Sequence, residues 1–196
     1  MDLRFVDKRP LLVALAGPNG AGKSTFYAAY LKNAALRLVN ADLLAKELNI
    51  DPYVAAAVAD AVRRELLRQR ESFVFETVFS DPAGDKLNFL REAVSAGYSV
   101  VLCFIGLSSA LISEQRVAMR VTQGGHDVPT DKLLSRFPRT LANLKAAARE
   151  LPCVIIFDND DLREPFKRAA LFQHGKLLFL NKPAPKWISD LFPNYL

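Results

Sequence analysis

The residues best suited to do chemistry are eight in a row, Gly17 to Ser24, with the sequence GPNGAGKS. They fill every fixed position of the pattern G-x-x-x-x-G-K-S, in which backbone N–H groups and the lysine surround phosphate oxygens. An apolar run precedes them and a helical pattern follows, so a helix would add its positive N-terminal end. A glycine-rich turn that binds nothing would have to match all of these features by chance. We therefore predict a phosphate-binding loop, or P-loop, for a nucleoside triphosphate.

The predicted P-loop assigns roles to individual residues. Lys23 is expected to reach the β- and γ-phosphates, and the Ser24 hydroxyl to hold Mg²⁺. The complete set expected to contact the nucleotide from this segment is Gly17, Pro18, Asn19, Gly20, Ala21, Gly22, Lys23, Ser24 and Thr25.

Acidic residues follow three of the apolar runs. Asp42 comes directly after the run Leu36 to Asn40, and a carboxylate there could deprotonate an acceptor hydroxyl in phosphoryl transfer. Its alternative role is only to stabilise the first turn of a helix. Glu76 ends the run FVFE and is predicted to contact substrate or a magnesium-bound water, together with Thr77, with structural pairing as its alternative. Asp158 could resemble a Walker-B residue, but we favour a turn.

Arginines flank the break in RVAMRVTQGGHDVPTDKLLSRF, residues 116–137. Arg116 and Arg120 lie one helical turn apart before the break, and Arg136 falls in the next predicted helix. Each could be ordinary solvated surface. Because the P-loop supplies an anion, we predict that the three bind phosphate charge.

The break itself is predicted to be the hinge of a lid covering residues 108–150. Gly124 and Gly125 would allow the movement, while His126 and Asp127 would brace the lid. Pro138 is predicted to kink or restart the second lid helix, because proline removes one backbone hydrogen bond.

The elements that position these residues alternate along the chain. Buried strands of a parallel sheet read as continuous apolar runs, and five occur at 11–17, 36–40, 73–77, 99–106 and 153–159. Helix starts are expected at Asn40, at Asp51-Pro52, at Asp81-Pro82, at Ser108 or Ser109, and at Thr130. A β-hairpin with a His-Gly turn is expected at 171–180. This order predicts a three-layer α/β domain over residues 1–196, with the hairpin and a tail at about 168–196.

Composition sets broad limits on this protein. The 196 residues are 51% hydrophobic, which suffices for one core. The net charge of +5 invites a nucleic-acid function, but the basic residues are scattered rather than interleaved with aromatics, so nucleic acid is an unlikely partner.

The chain contains no long apolar span or signal-peptide core, so we expect a soluble, cytoplasmic protein without membrane contact. Cys103 and Cys153 are expected to be buried thiols.

The motifs GPNGAGKST, NAD, FVFETVFS, the 116–137 segment and FDND, in this order, resemble the zeta-toxin family of P-loop kinases from about residue 11 to residue 160. The resemblance implies an ATP- or GTP-dependent, Mg²⁺-requiring kinase whose sheet has the adenylate-kinase-like strand order. It implies a hydroxyl of a UDP-activated amino sugar, such as UDP-N-acetylglucosamine, as acceptor, and a possible protein antitoxin as partner. Within that pattern Asp42 is the base and Glu76 lies near the substrate. The resemblance also implies that Arg120 and Arg136 are catalytic arginines of the lid and that Arg116 binds the nucleotide. Three departures from the family pattern, at Val78, Asp160 and Pro138, bear on the acceptor.

Two other functions compete with a small-molecule kinase. One is a nucleoside triphosphatase that acts as a switch on a protein partner, and the other is a kinase for nucleic-acid ends. Asp42 and Glu76 favour the small-molecule kinase, because two carboxylates are available to manage an acceptor.

Overall fold

The sheet has seven strands in the order β2-β3-β1-β4-β5-β6-β7. The computed structural model describes residues 8–122 and 128–195. The strands are β1 Leu11–Ala16, β2 Arg37–Val39, β3 Phe73–Thr77, β4 Ser99–Gly106, β5 Val154–Asp158, β6 Lys167–Gln173 and β7 Lys176–Leu180. The first five pair in parallel, with β1 between β3 and β4 as the family resemblance implies. The predicted strands and their order are therefore confirmed.

The predicted hairpin is also confirmed, and the structure shows where it goes. Its first strand, β6, pairs antiparallel with β5, so the hairpin extends the parallel sheet to a mixed sheet of seven strands. The turn falls at His174 and Gly175, both with positive φ, as a two-residue hairpin turn requires.

Helices cover both faces of the sheet. They are α1 Lys23–Phe26, which continues into a π-helical turn at Tyr27–Leu31, then α2 Ala41–Leu48, α3 Pro52–Arg68, α4 Asp85–Ser95, α5 Ala110–Thr122, α6 Thr130–Glu150 and α7 Lys186–Leu191. Successive side chains of a strand point to opposite faces, so Leu12 and Ala14 pack in one core cluster and Leu11, Val13 and Leu15 in the other. The first cluster includes side chains of α3, α4, α6 and α7, and the second includes Phe26 of α1, so the three-layer prediction is confirmed.

Three of the predicted helix starts are confirmed. The Asn40 Oδ1 accepts hydrogen bonds from the backbone N–H groups of Asp42 at 2.8 Å and Leu43 at 3.2 Å. Asp51 caps α3 in the same way, with proline following it. The Ser109 hydroxyl accepts from the N–H of Ile112 at 3.3 Å, which selects Ser109 over its neighbour.

Of the other two predicted starts, the one at Asp81-Pro82 is wrong, whereas α6 begins at Thr130 as predicted but without Thr130 as its cap. Helix α4 begins at Asp85 after Gly84, and Asp81 instead accepts a hydrogen bond from the N–H of Lys86 at 3.3 Å. Helix α6 follows Pro129, and the Thr130 hydroxyl donates to Glu114 of α5 at 2.8 Å instead of capping.

Helix α6 runs through Pro138 without interruption, so it does not restart there as proposed. Its buried face includes Leu133, Phe137 and Leu144, whereas Leu134 is 51% exposed. The Thr140 hydroxyl, two residues after Pro138, approaches the carbonyl oxygens of Arg136 and Val78 at 3.1 Å each. This links α6 to the segment that follows β3.

Both cysteines are free and buried, as expected. Burial raises the pKa of the Cys103 and Cys153 thiols to about 12, so they are unreactive apolar groups. Over residues 8–122 and 128–195, no helix combines the length and the apolar character needed to cross a bilayer. Gly124, Gly125, His126 and Asp127, predicted to form and brace the lid hinge, lie outside the described residues.

Candidate active site

The P-loop leaves β1 at a position where only glycine fits. Gly17 has φ 144°, and a Cβ there would lie 2.1 Å from the carbonyl oxygen of Ile105 on β4. The close approach directs the loop over the carboxyl end of the sheet, where ligands bind in open α/β folds.

Lys23 lies inside the loop. Its side chain is buried, and its Nζ donates hydrogen bonds to the carbonyl oxygens of Gly17 and Pro18 at 3.0 Å each. Burial lowers the pKa of Lys23; the negative charges of Glu76 and Asp42 act in the opposite direction, and the positive charge of Arg120 lowers it further. Three predicted site residues are therefore electrostatic neighbours of the P-loop lysine.

Two buried side chains that were not predicted as site residues hold the loop from outside. The Ser113 hydroxyl of α5 donates to the carbonyl oxygen of Asn19 at 2.7 Å. The Asn159 Nδ2 donates to the carbonyl oxygen of Ala21 at 2.8 Å, while its Oδ1 accepts from the N–H of Phe166 at 3.1 Å. Ser113 is 1% exposed and Asn159 is 2% exposed. The position of Asn159 directly after a buried strand was a sequence signal for its role. Nothing in the sequence near Ser113 indicated that Ser113 holds the loop.

Glu76 connects the P-loop to the end of β2. Its carboxylate accepts a hydrogen bond from the Ser24 hydroxyl, at 3.1 Å to Oε2 and 3.3 Å to Oε1. The same Oε2 accepts from the Nδ2 of Asn40 at 2.9 Å. Asn40 thus has two tasks, because its Oδ1 caps α2 and fixes the helix that carries Asp42. Its capping was predicted, but its bond to Glu76 was not.

A cavity of about 770 Å³ brings these groups together. The P-loop lines one part with Asn19, Gly20, Lys23 and Ser24, and Arg120 contributes from α5. The acidic part contains Asp42 and Glu76 with Thr77. Further wall residues come from α2, α3 and α4 and include Leu43, Lys46, Ala56, Arg63 and Lys86. One cavity therefore contains the P-loop, two carboxylates and an arginine of α5.

The three arginines predicted to bind phosphates lie in different places. Arg120 lines the cavity. Arg116 is half-buried and donates from Nη2 to the carbonyl oxygen of Asp160 at 2.8 Å; burial lowers its pKa, opposed by the charges of Asp160 and Asp158. Arg136 is half-buried on α6 and is not among the residues lining the cavity in the described part of the chain. The structure thus brings Arg120, and not the other two, to the cavity wall.

Asp158 is the last residue of β5 and not part of a turn. Its Oδ1 accepts a hydrogen bond from the indole N–H of Trp187 at 3.2 Å. Burial raises the pKa of Asp158, while the hydrogen bond from Trp187 opposes that rise. The C-terminal helix α7 therefore contributes to the carboxyl edge of the sheet.

A family model described as an AAA domain matches residues 12–147. An uncharacterized protein of Haemophilus influenzae is 27% identical over 127 residues, which make up 62% of this chain and 88% of that protein.

Two solved structures show the same fold at low sequence identity. A chain of the AvrRxo1-ORF1:ORF2 complex with ATP superposes with a TM-score of 0.69 at 19% identity, over 93% of this chain and 63% of that one. A chain of the PezAT chromosomal toxin–antitoxin system of Streptococcus pneumoniae gives a TM-score of 0.55 at 13% identity, over 96% of this chain and 79% of that one. This chain spans less than two thirds of the AvrRxo1 chain. The resemblance to a zeta-toxin-like P-loop fold is confirmed by the family match and these neighbours.

Proposed function

We propose that this chain, which belongs to the AAA domain family through the match over residues 12–147, is a kinase that transfers the γ-phosphoryl group of ATP or GTP to a hydroxyl of a small molecule. The observation that carries the proposal is the shared cavity, which has Lys23 and Ser24 on one side and Asp42 and Glu76 on the other. A phosphate donor and a hydroxyl acceptor could meet there, as in-line transfer requires.

The chain's own residues divide the work in this proposal. Lys23 and the P-loop N–H groups hold the donor phosphates and stabilise their charge. Asp42, at the start of α2, orients the acceptor hydroxyl and takes its proton. Arg120 offers a cation from the lid helix to the charge that develops on the transferred group.

The residues near the P-loop fit a magnesium ion. Mg²⁺ prefers oxygen ligands, and in kinases it is held by one or two protein groups together with phosphate oxygens and waters. The Ser24 hydroxyl would be its direct protein ligand, and the Glu76 carboxylate, 3.1 Å from that hydroxyl, would accept a hydrogen bond from a bound water. The ion would supply charge neutralisation at the β- and γ-phosphates.

For the acceptor, we propose a UDP-activated amino sugar, on the strength of the motif resemblance. A protein antitoxin as partner is proposed on the same ground, since one structural neighbour comes from a toxin–antitoxin system.

The direct test incubates the protein with ATP, Mg²⁺ and UDP-N-acetylglucosamine and measures phosphorylated product by mass spectrometry. Asp42→Asn should lower product formation by about 1,000-fold, since a lost general base costs about 100- to 10,000-fold. Glu47→Gln is the matched control, because Glu47 is an exposed carboxylate on the same helix that is not among the cavity-lining residues.

Other outcomes would support the competing functions. ATP loss without a phosphorylated product that persists in Asp42→Asn would contradict the kinase proposal and favour a triphosphatase. Salt-sensitive binding and phosphorylation of oligonucleotide ends would favour the nucleic-acid kinase.

The lid arginines can be separated by a second comparison. Arg120→Ala should lower turnover by about 100-fold and change the Kd for nucleotide by less than about threefold, because its charge is needed mainly in the transition state. The catalytic role of Arg136 stays a prediction, and its position outside the cavity wall makes a smaller loss in Arg136→Ala the expected result. Unchanged turnover in Arg120→Ala would show that the lid assignment is wrong.

A further inference from the structure

Arg63 is a buried cation in the cavity wall that the proposed phosphoryl transfer does not use. It is 4% exposed, lines the cavity, and its guanidinium carbon lies 5.2 Å from the centre of the Phe75 ring and 5.8 Å from that of Phe89. Its Nη2 donates to Asp60 Oδ1 at 2.7 Å. Its Nε is buried and has no hydrogen-bond partner among the described residues. A buried donor without a partner is costly, and a ligand in the cavity could offset that cost.

Lys86 of α4 lines the same cavity and is ion-paired with the same carboxylate, that of Asp60. Its Nζ lies 3.7 Å from Asp60 Oδ1, the atom that already accepts from Arg63. Arg64 also donates to Asp60, from Nε at 3.1 Å, but it has a second partner in Glu92 at 3.4 Å.

The charges on this wall do not balance. Burial alone would raise the pKa of Asp60, but hydrogen bonds from Arg63 and Arg64 and the charges of Arg63 and Lys86 hold it below its usual value. Asp60 is therefore ionised at neutral pH and contributes one negative charge. Glu92 is the second partner of Arg64, and Asp85 lies with Asp60 around a neighbouring pocket, whereas Arg63 and Lys86 line the cavity itself and no carboxylate of α3 or α4 does so among the described residues.

We propose that Arg63 and Lys86 form a subsite for an anionic group, a phosphate or a carboxylate, carried by the acceptor molecule. The proposal rests on the kinase function above and narrows its substrate class to hydroxyl compounds that carry an oxyanion. The acceptor hydroxyl lies at Asp42, and the oxyanion accepts hydrogen bonds from the guanidinium and the ammonium. A UDP-activated sugar belongs to this class, whereas a neutral sugar does not.

Aromatic packing and the Asp60 ion pair would by themselves explain a purely structural Arg63. They do not explain why Lys86, whose side chain is 27% exposed, shares that carboxylate from the cavity wall. Binding at this wall therefore has to depend on Lys86 as well as on Arg63.

The test measures binding without any transfer step. Isothermal titration gives the Kd of inorganic pyrophosphate, and separately of malonate, for the protein saturated with ADP in the absence of magnesium. At least one anion should bind with a stoichiometry of one, and Lys86→Gln should weaken it by about tenfold, as expected for a lost charge-assisted hydrogen bond. Which anion binds identifies the group as phosphate or carboxylate.

Two further variants make the result specific. Lys176→Gln removes the same charge from the exposed hairpin and should leave the Kd unchanged. Arg63→Lys should weaken binding while it keeps the ion pair, and Lys86→Gln provides the test if that buried variant does not fold.

Two results would overturn the subsite: neither anion binds the ADP-saturated protein, or Lys86→Gln and Lys176→Gln bind equally. Failure of the kinase proposal gives a different result. Asp42→Asn would then leave ATP consumption intact, while anion binding would still be weakened by Lys86→Gln.

Discussion

The two sides of the cavity are built in different ways. The donor side is the P-loop, where the proposed phosphate donor would bind. Buried polar side chains from other elements hold it, with Ser113 bonded to Asn19 and Asn159 bonded to Ala21. The acceptor side is the wall formed by α2, where the proposed acceptor would bind; α2 contains no fully buried residue, and Asp42 and its neighbour Leu43 are exposed. One chain of hydrogen bonds, from Ser24 through Glu76 to Asn40, joins the two sides.

This difference has a physical consequence for specificity. Changing a donor-side contact leaves a buried polar group without a partner, which costs about 1 to 3 kcal/mol. Changing an exposed side chain of α2 costs little, typically within about 0.5 kcal/mol. The fold therefore constrains phosphate binding strongly and leaves the acceptor wall open to substitution.

The largest expected effect comes from breaking the donor side at its centre. Lys23→Ala removes the buried cation and its bonds to the carbonyl oxygens of Gly17 and Pro18, and transfer should fall by about 1,000-fold. The measurement is turnover with ATP, with Lys32→Ala as the control, because Lys32 is exposed just beyond the π-helical turn. Turnover close to that of the control would mean that the P-loop cradle does not act on the donor phosphates.

A smaller effect should come from the outer support of the loop. Asn159→Asp keeps the oxygen that accepts from Phe166 but replaces the donor to Ala21 by a second oxygen. We expect the free energy of unfolding to fall by about 2 kcal/mol and nucleotide to bind about tenfold more weakly. Urea unfolding and nucleotide titration measure both, with the exposed Asn33→Asp as the matched control. Unchanged stability would show that the tether is not a structural constraint.

The smallest expected effect on nucleotide binding comes from the link between the two sides. Asn40→Asp keeps the α2 cap, since aspartate caps as well as asparagine, but places a carboxylate against Glu76. Turnover should fall by about tenfold, with less than about twofold change in nucleotide Kd. Asn40→Ser also keeps a capping side chain but lacks the negative charge of Asn40→Asp. Its loss of turnover should therefore lie between those of the wild type and Asn40→Asp. A loss of nucleotide affinity as large as that of Asn159→Asp would remove the distinction between the two sides.

Most of the frame could be predicted from the sequence because its signals are local. The apolar runs of β1, β3 and β4 mark strands buried on both faces, and the GPNGAGKS pattern specifies its own strand-loop-helix geometry. Helix starts were less predictable. Asn40 and Asp51 cap helices as expected, whereas Asp81 and Thr130 use their side chains elsewhere, because neighbouring elements offer those polar groups other partners.

The sequence by itself determined the parallel α/β frame, the P-loop, and the presence of carboxylates at the ends of β2 and β3. The tertiary structure decided which distant groups meet there. It brought Ser113 and Asn159 to the P-loop and Arg63 to the cavity wall from segments distant in sequence, and it left Arg136 outside the wall. Strand periodicity and loop motifs depend on neighbours along the chain, so they can be read in order. Polar partners of buried groups are set by how helices pack on the sheet, and a single sequence does not encode that packing locally.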